Sequence, residues 1–152
     1  VIAGEDGEPF FAGAYQFRYG AVDLVRPGDH GVILVTGQML APAVQAWEAL
    51  RERSLEPSVL HVSCPKTLDG ADDPVLLQCL RKGRVITYED HNVHTGLGSR
   101  VANYIAARGI SCRLLKLGIE NYGVSGSPVE VRRRLGLDPE ALVAKAVKFL
   151  KR

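Results

Sequence analysis

The chain has 152 residues, of which 46% are hydrophobic and 24% are charged, and its formal net charge is +2. This composition is typical of a globular protein, with enough residues for one core and too few for two ordinary domains. So small a net charge gives no reason to expect nucleic acid or a membrane surface as a partner. No run approaches the roughly twenty apolar residues that a membrane-spanning helix needs.

The cysteines at positions 64, 79 and 112 are widely spaced, form no C-x-x-C motif and are odd in number, which fits a disulfide framework poorly. We therefore expect a reducing, cytoplasmic location. The first residue is not methionine, so we expect a piece of a longer polypeptide. Residues 1–19 contain glycines and aromatics without periodicity, and we interpret them as a linker or tail from a preceding domain.

The first predicted elements surround the turn "RPGDHG". A short connection cannot make a parallel crossover, so the strands on its two sides should pair antiparallel, with residues 21–25 at a sheet edge. The second of them, "GVILVTG" (31–37), is a continuous apolar run suited to a strand buried on both faces. Next, the spacing of Leu40, Val44 and Trp47 predicts an amphipathic helix.

Strands at 58–63, 84–89 and 111–118 then alternate with helices at 72–83 and 99–109. The residue types at the helix starts predict Asp73 and Ser99 as N-caps.

Two helices complete the chain. Ser127 and Glu130 have the spacing of a capping box at the start of the first, and Asp138 precedes the second. Alternating strands and helices predict an α/β fold. We expect a three-layer sandwich with an about five-stranded, mostly parallel sheet, one antiparallel edge strand and helices on both faces.

The densest group of polar side chains is "YEDHNVHTGLGS", residues 88–99. It joins a predicted parallel strand to a helix, where ligands commonly bind in open α/β sheets. His91 and His94 offer a weak H-x-x-H metal signature. The backbone N–H groups of residues 96–99 could instead hold a phosphate or carboxylate at the helix N-terminus. The default interpretation is a tight glycine turn that lets the helix pack on the sheet or on a partner. The candidate residues are Glu89, His91, His94, Gly96, Gly98 and Ser99.

Other chemistries find no support in the sequence. "GLGSRV" has Val101 where a dinucleotide fingerprint needs its third glycine, and no G-x-x-x-x-G-K-[ST] motif occurs. No G-x-S-x-G nucleophile elbow occurs either. We predict no catalytic, cofactor-binding or metal-binding residue in this chain.

Four segments in order resemble the C-terminal domain of the transketolase family, the thiamine-diphosphate enzymes that include transketolase, deoxyxylulose-phosphate synthase and the beta subunits of 2-oxoacid dehydrogenases. They are "RPGDHGVILVTGQMLAPAVQAWEAL", "PKTLDG", "RVITYEDHNVHTGLGSRVANYIAARG" and "LKLGIENYGVSGSPVEVRRRLGLDPEALVAKAVKFL". The resemblance assigns residues 20–152 to this domain. Thr95 stands where the family has the first of two adjacent glycines.

The resemblance implies that the parent enzyme moves two-carbon ketol units between sugar phosphates, with thiamine diphosphate and Mg²⁺. The family's G-D-G motif with downstream paired asparagines is missing here, so we expect this fragment to bind no cofactor and to be inactive alone. It would contribute dimer interface and substrate-channel wall in contact with the remaining domains or subunit. Within the loop, Glu89 and His91 would order the interface, or His91 would contact a substrate.

The resemblance also allows a second hypothesis, in which the chain belongs to a 2-oxoacid dehydrogenase beta subunit or a deoxyxylulose-phosphate synthase and acts as a subunit-docking module. "YEDHN" is nearer to the "EEH" of transketolase-like members than to the "EEG" of the dehydrogenases. The third hypothesis is a free-standing α/β domain with an unrelated ligand.

Overall fold

Five strands form one sheet in the computed structural model, which describes residues 2–70 and 72–151. The strands are β1 (Asp23–Arg26), β2 (Val32–Val35), β3 (Ser58–His61), β4 (Arg84–Asn92) and β5 (Arg113–Ile119). Their spatial order is β1-β3-β2-β4-β5, and every pair is parallel except β1 with β3. The helices are α1 (Leu40–Arg51), α2 (Pro74–Leu80), α3 (Leu97–Ala107), α4 (Pro128–Arg134) and α5 (Pro139–Leu150). The predicted fold class is confirmed.

The predicted antiparallel edge strand is present, but its predicted partner is wrong. β1 pairs with β3 and not with β2, the next strand along the chain. The connecting turn crosses the start of β3, where the His30 amide donates to the Glu56 carbonyl at 3.1 Å. A Cβ at Gly28 would lie 2.1 Å from that carbonyl oxygen, so glycine permits the crossing.

The two sheet faces carry separate cores because successive side chains of a strand point in opposite directions. Ile33 and Val35 of β2 pack with the buried faces of α1 and α5. Val32 and Leu34 pack on the other face with α2 and α3. The apolar run of β2 is therefore explained by burial on both sides.

Three of the helices begin with the capping side chains that the sequence predicts. The Asp73 carboxylate accepts from the Val75 amide at 2.9 Å at the start of α2. Ser127 and Glu130 form the reciprocal capping box of α4. Asp138 accepts from the Ala141 amide at 3.0 Å at the start of α5. These bonds satisfy amide groups that have no partner within the helix.

The opening segment lies against the domain. Ile2 and Phe10 pack on the core shared by α1 and α5. Arg26, which is 3% exposed, donates to the Ala3 carbonyl at 2.8 Å. The division of the chain at residue 20 stays a prediction. None of the helices in the described part of the chain has both the length and the apolarity needed to cross a membrane.

Candidate functional site

The centre of the polar loop is Glu89, near the carboxyl end of β4. Its side chain is fully buried, at 0% exposure. One carboxylate oxygen accepts from the Leu97 amide at 2.6 Å and the other from the Gly98 amide at 2.8 Å. Both donors belong to the first turn of α3, where amide groups have no partner within the helix and the dipole favours negative charge. The chain's own carboxylate therefore occupies the anion position that the sequence suggested for residues 96–99.

Opposing effects act on the pKa of the Glu89 carboxyl group. Burial raises the pKa of its carboxyl group above the ordinary glutamate value. The amide hydrogen bonds from Gly98 and Leu97, and the positive charges of His91 and Lys116, act in the opposite direction without cancelling the rise. Glu89 is thus a buried acid whose charge is stabilised mainly by helix amides.

Two glycines of the turn lie in close contact with neighbouring side chains, one of them the Glu89 carboxylate. A Cβ at Gly96 would lie 1.9 Å from a Glu89 carboxylate oxygen, although the backbone φ of −86° is ordinary. A Cβ at Gly98 would come within 2.8 Å of the Lys116 and Thr87 side chains. These glycines are required by close approach and not by an unusual φ.

Gly118 of β5 is a closely packed glycine beside the loop, and the sequence analysis did not single it out. A Cβ there would lie 2.7 Å from the His91 carbonyl oxygen and 3.0 Å from the Glu89 Cγ atom. In the sequence it was only one residue of a strand, because the contact joins two strands brought together by the sheet.

The predicted N-cap of α3 is wrong. The helix begins at Leu97 with Gly96 as N-cap, two residues before the predicted start. Ser99 lies inside the first turn, and its hydroxyl donates to the Val93 carbonyl at 2.8 Å. Glu89, eight residues upstream of Leu97, supplies the acceptor that a capping side chain would normally provide.

His91 and His94 are both exposed. Neither imidazole has a hydrogen-bond partner within residues 2–70 and 72–151, so the histidines do not fasten the turn. Asn92 does so, since its side-chain oxygen accepts from the His94 amide and its carbonyl from the Gly96 amide, each at 2.8 Å. The part of the chain that the structure describes contains no group of three or more potential metal-ligating side chains.

The loop is also tied to both neighbouring strands. The Val93 amide donates to the Ile119 carbonyl of β5 at 3.1 Å, and the Lys116 ammonium donates to the Val93 carbonyl at 3.1 Å. On the other side, the Gln38 amide group after β2 donates to the Asp90 carboxylate at 2.6 Å. The backbone that carries the two imidazoles is therefore held by hydrogen bonds to α3, to β5 and to the segment after β2.

This fold and loop define a three-layer α/β domain with a braced polar turn at the carboxyl edge of its parallel sheet. A sequence profile described as "Transketolase, C-terminal domain" matches residues 20–142. The chain belongs to this family, and the resemblance found in the sequence is confirmed.

The similar proteins are longer than this chain. A putative transketolase C-terminal section of Methanocaldococcus jannaschii is 29% identical over 90% of this chain and 42% of the relative. A 1-deoxy-D-xylulose-5-phosphate synthase of Thermomicrobium roseum is 27% identical over 95% of this chain and 23% of the relative. The solved structure described as a split-gene transketolase, an inactive β4 tetramer, superposes with a TM-score of 0.82 at 26% identity, covering 94% of this chain and 46% of that one. The chain spans less than half of each.

Proposed function

We propose that this chain is the C-terminal portion of a transketolase-like enzyme that transfers two-carbon ketol units between sugar phosphates. In that enzyme the chain contributes dimer interface and substrate-channel wall. The observation that carries this role is the braced loop of residues 90–95, which exposes His91 and His94 from a backbone held by the buried Glu89. Such a loop presents contacts in a fixed geometry, as binding across an interface requires.

Thiamine diphosphate and Mg²⁺ would belong to the rest of the parent enzyme, because the described residues do not fit them. The segment "GEDG" is similar to the family's G-D-G motif, but there the Asp6 carboxylate accepts from the nearby Glu8 amide at 3.0 Å in an exposed turn. No adjacent asparagines occur anywhere in the sequence. We therefore derive no step of the reaction from this chain.

The partners of the chain would be the remaining domains or subunit of the parent enzyme, within a homodimer that acts on sugar phosphates. The lengths of the relatives support both a divided and a continuous parent, since the chain covers 42% of the archaeal C-terminal section but only 23% of the synthase. A cytoplasmic location is supported by Cys64, Cys79 and Cys112, which form no disulfide.

The synthase relative favours a second candidate, a deoxyxylulose-phosphate synthase in which this domain serves as a docking module. Product analysis of the assembled parent enzyme distinguishes the two. Exchange of ketol units between two sugar phosphates supports the transketolase, whereas formation of 1-deoxy-D-xylulose 5-phosphate supports the synthase.

A substitution at the exposed His91 tests the role of the loop. In the assembled enzyme we expect His91→Ala to lower kcat/KM about tenfold, the effect of losing one charge-assisted hydrogen bond. Its thermal unfolding should be unchanged, because the imidazole has no hydrogen-bond partner in the described residues. Asn103→Ala, at an exposed position of α3, is the matched control. A His91 variant with normal kcat/KM would show that the loop does not face the substrate path.

A further inference from the structure

Glu89 is the only described acidic residue that is fully buried, and it lies where the strand, the loop and the helix meet. Its two amide hydrogen bonds join the end of β4 directly to the first turn of α3. Loop 90–95, which lies between Glu89 and these amides, consists of the last three residues of β4 and the turn after it, and it is largely exposed apart from the buried Val93. The charge of this one carboxyl group therefore bears directly on how the loop is attached to the helix.

The other groups near Glu89 cannot take over its role. On β5, the Lys116 ammonium is bonded to the Val93 carbonyl. On β4, Asp90 is bonded to Gln38, and the exposed His91 contributes positive charge. From α3 only the amides of Leu97 and Gly98 reach the carboxylate, and the first charged side chain of that helix is Arg100.

We propose that Glu89 is a protonation-dependent latch, whose ionised carboxylate holds loop 90–95 against α3 and whose protonation frees one of the two helix amides. Adding the proton to one carboxyl oxygen makes that oxygen an O–H donor, which opposes the N–H that it had accepted. The second oxygen keeps its amide. The loop is then attached to the helix by one bond in place of two.

The sign of the pH dependence separates this latch from acid unfolding. Burial raises the pKa of Glu89, so the folded chain binds this proton more tightly than the unfolded chain does. The corresponding contribution to the free energy of unfolding is present at low pH and is lost as the pH rises through the raised value. Protonation of Glu89 therefore does not itself favour global unfolding, and the opening that we propose is a local one.

Amide NMR of the 152-residue chain between about pH 4 and about pH 8 tests the latch. The Leu97 and Gly98 amide shifts should titrate with one midpoint, at a pH above the ordinary glutamate range. On the acid side of that midpoint the amide that is freed should lose about tenfold of its protection, measured as its exchange rate relative to an unstructured amide at the same pH. The Glu89 side-chain carboxyl carbon should show the same midpoint. Glu89→Gln should abolish the inflection, whereas His91→Gln and Asp90→Asn should retain it.

Three results would overturn the latch. They are amides that do not titrate in this range, an inflection that survives Glu89→Gln, or one that disappears with His91→Gln. The carboxyl resonance is read on the unmodified chain, so a poorly folded Glu89 variant leaves the test intact. The measurement needs neither substrate nor partner, so its outcome is independent of the proposed function.

Discussion

Gly96→Ala should lower the free energy of unfolding by about 3 kcal/mol, although the backbone φ at this position is not left-handed. The added methyl group would lie 1.9 Å from a Glu89 carboxylate oxygen, so the carboxylate must move. Movement weakens the charge-assisted bond to the Leu97 amide, now 2.6 Å long, and leaves a buried donor without an acceptor. Urea denaturation followed by far-ultraviolet circular dichroism gives the difference.

Gly123→Ala is the matched control for this substitution. A Cβ at Gly123 would meet no atom within 4 Å, and its φ is not in the left-handed region. The same chemical change should therefore leave stability within about 0.5 kcal/mol of the unmodified chain. Equal losses at the two positions would contradict the close contact between Gly96 and Glu89.

Glu89→Ala should cost about 2–4 kcal/mol, because it leaves the Leu97 and Gly98 amides without their acceptor and opens a space beneath the loop. The variant no longer carries the cost of burying a charge, and this offsets part of the loss. Glu120→Ala, which truncates an exposed glutamate just after β5, should change little.

Combining the two loop substitutions separates one shared contact from two independent effects. Once the carboxylate is gone, the methyl group at position 96 no longer meets it and retains only the contact with the Asn92 carbonyl oxygen, at 2.8 Å. The double variant should therefore lose clearly less stability than the sum of the two single losses. Losses that simply add would mean that Gly96 is required for another reason.

The sequence was most informative where the governing interactions are local. Asp73, Ser127 and Asp138 cap helices a few residues away, and the side chain and the amides that it binds can be read from one short segment. The apolar run of β2 likewise predicted burial on both sides. Strand and helix alternation then determined the fold class.

Local sequence patterns did not predict the interactions between neighbouring strands of the sheet. The partner of β1 depends on the chain crossing the start of β3, where Gly28 approaches Glu56. The contact of Gly118 with the His91 carbonyl depends on the register between β4 and β5. Both arise from tertiary packing.

The loop was predicted as a strand-to-helix turn, and it does join β4 to α3, but its internal hydrogen bonds were not predicted. Ser99 suited an N-cap by residue type, and the more distant Glu89 took that function because the turn folds back onto the strand end. A signal was available, since an acid that ends an apolar strand shortly before a glycine-rich helix start is placed to reach the helix amides.

Calorimetric titration of the 152-residue chain with thiamine diphosphate and Mg²⁺ tests the proposed division of roles. We expect no measurable heat of binding, because in the proposed enzyme this chain would supply interface and scaffold and the cofactor site would lie in the remaining domains or subunit. Saturable binding with a Kd of about 1 μM, equivalent to about −8 kcal/mol, would contradict it.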